Sequence, residues 1–146
     1  MCIRDRADSS RTSADAGKIN TYRNHNTHWW DGSQLYGSNK AQNDKVRSFV
    51  DGKLKINSDG SLPTEFMSGK PITGFNENWW VGISMLHQIF TKEHNAIATM
   101  LKQKYPSASD QWLYDKARLV NAALMAKIHT VEWLSLIHIS EPTRPY

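Results

Sequence analysis

Thr27-His28-Trp29-Trp30-Asp31-Gly32-Ser33, running on through Gln34 and Leu35 to Tyr36-Gly37-Ser38, is the most informative segment of the chain. In an extended loop alternate residues point the same way, so Thr27, Asp31 and Ser33 can present oxygens on one concave side, together with a backbone carbonyl. A hard cation such as calcium takes roughly six to eight oxygen ligands. The loop offers part of that set and would need a further carboxylate from elsewhere. Asp31-Gly32-Ser33 also reads as a plain surface turn, which is the reading the residues favour when taken alone.

Outward from this loop the chain divides by pattern. Residues 7–26 are polar and aperiodic, a loop or arm. Asn39 to Val46 suits a short helical turn. Leu54 and Ile56 alternate beyond the Asp51-Gly52 turn signal, with Ser58-Asp59-Gly60-Ser61 following, which predicts a small β-hairpin. Gly69 to Asn78 returns to loop. From Trp79 the period becomes helical: Ile83, Leu86, Phe90, Ile97 and Leu101 form a stripe that Met85, Ile89 and Met100 broaden. Tyr105-Pro106 ends it, because proline disfavours helix in the residue before it. Ser109-Asp110 caps a second helix, whose apolar face reads Leu113, Ala117, Val120, Leu124, Ile128 and Val131. Two such helices with a short connection predict an antiparallel pair.

Composition narrows the classes. The chain has 146 residues, 39% of them hydrophobic, with six Trp, which points to a folded domain. No apolar run approaches the ~20 residues of a membrane span. The formal charge of +4 is modest and its Lys and Arg are spread along the chain, so no nucleic-acid partner is expected. The single Cys excludes an intramolecular disulfide.

The ends do not match the middle. Met1-Cys2-Ile3-Arg4-Asp5-Arg6 and Leu134–Tyr146 (LSLIHISEPTRPY) both read as translations of a transposon-end sequencing adapter, one DNA element in opposite orientations. The expected division is therefore 1–6 adapter-derived, 7–133 partial domain and 134–146 adapter-derived. Setting aside Arg4, Arg6, Arg144, Asp5 and Glu141 leaves 15 Lys+Arg and 12 Asp+Glu, a charge of +3, and no Cys.

NTHWWDGSQLYGS resembles the calcium-binding loop of animal-type haem peroxidases. RSFVDGKLKI, LHQIFTKEHNAIATML and LYDKARLVNAALMAKIHTVEW are similar to further family segments in the same order. Trp-Trp-Asp-Gly-Ser and Ala-Lys-x-His-Thr-x-x-Trp bring the chain nearest to the fatty-acid alpha-dioxygenase branch. The resemblance covers nearly all of Asn26 to Trp133. It implies an internal fragment of a large, mainly α haem peroxidase fold, containing the calcium loop, the hairpin and two long antiparallel helices. It implies calcium on Thr27, the Trp29 carbonyl, Asp31 and Ser33, and haem in the parent protein. It also implies that His129 contacts a fatty-acid carboxylate. A lone helical His is more often a satisfied structural group, so both readings of His129 stand.

By the same resemblance, the distal His and a further calcium ligand lie upstream of Ala7. The proximal His and the radical-bearing Tyr lie downstream of Trp133. This implies no activity for the fragment alone. Lys92-Glu93-His94-Asn95 resembles a family helix signature and reads as a polar cluster between helices, with His94 satisfied rather than catalytic. His87 and His25 receive the same reading, and nothing marks His28 as a ligand. Asn76, Trp79 and Trp80 stand where mammalian relatives carry an activating Arg and a Glu-Met pair bonded to haem, which argues against halide oxidation with covalent haem. Three functions follow for the parent: addition of oxygen at the α carbon of fatty acids through a Tyr radical, peroxide reduction with organic donors, or a non-catalytic, calcium-stabilised scaffold.

Overall fold

The computed structural model describes residues 9–19, 29–76 and 79–136. Thr27, His25 and His28 lie outside them, as does nearly all of the polar arm's C-terminal end. A 3-10 turn at Ser13–Asp15 precedes the loop. Helix α1 is a single turn, Ser33–Tyr36. Helix α2 spans Lys40–Val46, with the Asn39 side chain accepting from Gln42 N at 2.9 Å as its N-cap. Helices α3, Val81–Lys104, and α4, Asp110–Lys127, dominate the chain. Ser109 caps α4 as the sequence predicts, its Oγ accepting from Trp112 N at 3.3 Å. A π-helical turn, Ile128–Trp133, continues directly from α4. No helix of the described residues is long and apolar enough to cross a membrane.

Helices α3 and α4 run antiparallel. Tyr105 packs edge-on against Trp112 at the connection, Ala98 and Ala117 meet in mid-helix, and Asn121 Nδ2 donates to Phe90 O at 3.0 Å near the far end. The fully buried Ala98 and Ala117 bring the two axes close. One core cluster joins Leu35, Tyr36, Val46, Leu54 and Tyr114; another joins Ile97, Ala98 and Ala117.

The packed face of α3 differs from the stripe expected. Its buried residues are His87, Thr91, His94, Ile97 and Ala98, whereas Met85, Leu86, Ile89 and Met100 are each more than half exposed. On α4, Leu113, Tyr114, Ala117 and Asn121 are buried, but Val120 and Val131 are exposed. Both faces of α3 satisfy helical periodicity; the polar one turns inward here, with His94 bonded to Tyr36 of α1 and to Gly52 O, and Thr91 bonded to His87 O within α3.

The expected hairpin is reduced to an isolated antiparallel bridge between Arg47 and Leu54, flanked by Ser48 N donating to Lys53 O and Lys55 N donating to Val46 O, each at 2.9 Å. A reciprocal side-chain pairing ties this bridge to α3. Asn95 Oδ1 accepts from Leu54 N at 2.8 Å and Asn95 Nδ2 donates to Leu54 O at 3.0 Å. Leu54 N and O, which the bridge to Arg47 leaves over, are thereby satisfied by α3. The turn itself is fixed at Gly52, whose φ of +71° brings it against α4; a Cβ there would sit 2.5 Å from Tyr114 N.

Candidate functional site

The loop entering α1 is shaped by short polar side chains. Asp31 Oδ1 accepts from Ser33 N at 3.0 Å, an Asx turn that folds the loop back on itself. Gly32 follows in the left-handed region, φ 64°, and its carbonyl accepts from Leu35 N and Tyr36 N to start the helix. Ser33 is buried, while Trp29 and Trp30 are mostly exposed. Among the described loop residues the donors are oxygens: Asp31, Ser33 and backbone carbonyls. In kind they fit a hard cation such as calcium, and in number they fall short of its usual shell without Thr27 and a further carboxylate.

Helix α4 holds this loop from one side. Arg118 Nη2 donates to Asp31 O at 3.4 Å, and its guanidinium lies 5.0 Å over the Tyr36 ring. Met125 packs against Gly32, where a Cβ would approach its Cε to 2.9 Å. Trp30 meets His129, with ring centroids 4.8 Å apart and planes tilted by 54°. His129 therefore lies beside the metal-loop candidates and on the π turn, at an exposed position open to a ligand. Thr130 turns its hydroxyl back onto Ala126 O at 2.8 Å, which leaves His129 as the outward polar group of that pair. Trp133, at the end of the turn, is 63% exposed.

His94 is built differently. It is fully buried, with Nε2 2.9 Å from Gly52 O and Nδ1 2.9 Å from Tyr36 Oη. A carbonyl only accepts, so Nε2 carries the proton, Nδ1 accepts, and the Tyr36 hydroxyl donates to it. Asn121 Nδ2 then donates to Tyr36 Oη at 2.8 Å. Burial pulls the His94 imidazole down to about 4 and pushes the Tyr36 hydroxyl well above its ordinary value. With both ring nitrogens engaged, His94 has none to offer haem iron or a substrate. Burial also lowers His87, whose Nδ1 has no partner among the described residues.

Sequence reasoning missed Arg118, Asn121 and Arg47. Arg47 lies between the Phe49 and Tyr114 rings, at 4.7 and 4.1 Å, and donates to Gln111 Oε1 at 2.6 Å and Asp110 Oδ2 at 2.7 Å. Together with Asp31, Asn39, Gln111 and Arg118 it lines a cavity of about 520 Å³ beside the loop. Apart from Arg47 over Phe49, these partnerships join residues far apart in sequence, and no local spacing signals them.

Comparison with known proteins places the arrangement among relatives. The family profile described as "Animal haem peroxidase" matches residues 2–141. Alpha-dioxygenase 2 of Arabidopsis thaliana is 48% identical over 118 residues, which is 81% of this chain and 18% of that protein. Alpha-dioxygenase PIOX of Oryza sativa subsp. japonica is 44% identical over 122 residues, 84% of this chain and 19% of that protein. A crystal structure of a variant of Oryza sativa fatty acid alpha-dioxygenase with palmitic acid superposes with a TM-score of 0.71 at 44% identity, covering 74% of this chain and 18% of that one. The fatty acid alpha-dioxygenase of Arabidopsis thaliana gives 0.72 at 44% identity, covering 79% and 18%. The chain thus spans under a fifth of these relatives' length.

Proposed function

The chain belongs to the animal haem peroxidase family, and on that premise we propose that it is an internal part, residues 7–133, of a fatty-acid α-dioxygenase. The observation that carries this reading is the identity of 44–48% to proteins named alpha-dioxygenases over 81–84% of the chain. The contact between Trp30 and His129 supports it, because it sets the candidate carboxylate residue against the candidate metal loop.

In this reading Asp31, Ser33, the Trp29 carbonyl and Thr27 hold calcium and so fix the entry to α1. Arg118 and Met125 keep the loop seated on α4. His129 donates a hydrogen bond to the fatty-acid carboxylate, charge-assisted by the anion, and anchors the substrate head. A proximal His in the rest of the enzyme would hold haem, which would supply the oxidising power of the reaction. The Tyr radical that removes hydrogen from the α carbon also belongs to the rest of the protein. This chain's share is to anchor and orient.

The test begins by recovering the reading frame beyond residues 26–133 from source DNA prepared without transposon adapters. The haem-loaded product, given palmitate and oxygen, is expected to consume oxygen and form the 2-hydroperoxide. Haem binding without palmitate oxidation, but with peroxide-dependent oxidation of organic donors, would replace this reading with a peroxidase.

A further inference from the structure

Three residues of α4 and its π turn touch the loop at 30–32, and they lie along one line. Arg118, Met125 and His129 are seven and four positions apart, so they occupy a single helical stripe. They meet Asp31, Gly32 and Trp30 respectively. The loop is therefore laid along this stripe rather than joined to it at one point. Trp30 sits between Trp29 and Asp31, two of the candidate cation ligands. Its indole packs on the imidazole of His129, the exposed polar group at the start of the π turn.

We propose that Trp30 is the positioning residue for His129, and that it couples cation occupancy of the loop to capture of the substrate carboxylate. This rests on the assignment of His129 to the fatty-acid carboxylate made above. An exposed imidazole otherwise samples several rotamers, and ordering it on binding costs affinity. An indole against the ring restricts those rotamers while leaving the ring nitrogens at the edge, free to meet a carboxylate. Fixing the Trp29 and Asp31 backbone by a cation fixes the residue between them. The same linkage runs in reverse, so the carboxylate tightens the cation by the factor by which the cation tightens the carboxylate.

The experiment uses the full-length, haem-loaded protein and measures palmitate affinity by equilibrium dialysis, with calcium and with a calcium chelator. In the wild type, removing calcium is expected to weaken palmitate binding roughly tenfold, within the usual range of such couplings. Trp30→Phe, which keeps an aromatic ring on the imidazole, retains most of that dependence. Trp30→Leu reduces it to less than roughly twofold and raises KM for palmitate far more than it lowers kcat, the split expected when binding alone is disturbed. A Trp30→Leu protein with the wild-type calcium dependence would overturn the inference, as would a wild type whose palmitate affinity ignores calcium. His129→Gln separates the two levels. If palmitate binding is indifferent to that change, the carboxylate assignment itself fails and the coupling falls with it.

Discussion

His94 shows how one residue decides several contacts at once. Its ring bridges Gly52 O and Tyr36 Oη, and Tyr36 in turn accepts from Asn121, so one imidazole ties together α1, α3, α4 and the turn at Gly52. His94→Ala leaves the Tyr36 hydroxyl hydrogen without its acceptor and the Gly52 carbonyl without its donor, and opens a void. It is expected to cost about 2–4 kcal/mol, measured by denaturant unfolding. The same residue makes stability depend on pH. Burial holds the folded imidazole at about 4, below its ordinary 6.5, so folding favours the neutral ring. That contribution is fully present above pH 6.5 and is lost as pH falls from there towards 4. The total is about 3 kcal/mol by linkage. Unfolding midpoints measured between pH 7 and 4 should fall in the wild type and flatten in His94→Gln. An equally steep fall in the variant would assign the effect to other groups.

Helix ends and helix faces behave differently. Ser109 Oγ caps α4 by a local bond, and Ser109→Ala is expected to cost about 1 kcal/mol in unfolding free energy. The faces of α3 are set by packing instead. Ala98 and Ala117 touch where the axes are close, so Ala117→Leu should overpack the contact and destabilise the chain by about 1–3 kcal/mol. Ile89→Lys lies on the exposed side and should change the chain's stability by no more than about 0.5 kcal/mol. Equal losses from these two substitutions would mean that the apolar face of α3 is covered after all. The period of the sequence made both helices legible, together with the Ser109 cap and the stop at Pro106. It could not say which of two acceptable faces turns inward.

For the whole chain the exposed apolar side chains matter most. Met85, Leu86, Ile89, Met100, Leu119 and Val120 leave large surfaces of α3 and α4 uncovered in this structure. In the reading proposed here, the rest of the enzyme covers them and supplies the haem ligands. The 146-residue chain by itself should therefore bind a hydrophobic dye such as ANS, self-associate, and show neither a defined Soret band with haem nor palmitate oxidation. Dye fluorescence, light scattering and absorbance spectra check this. A sharp Soret band with turnover would show that the chain carries its own haem site.

Legible in the residues alone were the α3 and α4 boundaries to within a few residues, the cap at Ser109, the short turn of helix from Asn39 to Val46, and the collinear motifs that mark the family. These are local properties, set by residues within a turn or two of one another and by the order of segments along the chain. Only the folded chain shows that the Asn95 side chain takes both backbone groups of Leu54. Tertiary structure alone put the polar face of α3 inward and brought Trp30 onto His129. The bonds involved join residues 41 to 87 positions apart. Such contacts are chosen by the competition of whole surfaces for burial and for hydrogen-bond partners, and no window of sequence contains both competitors.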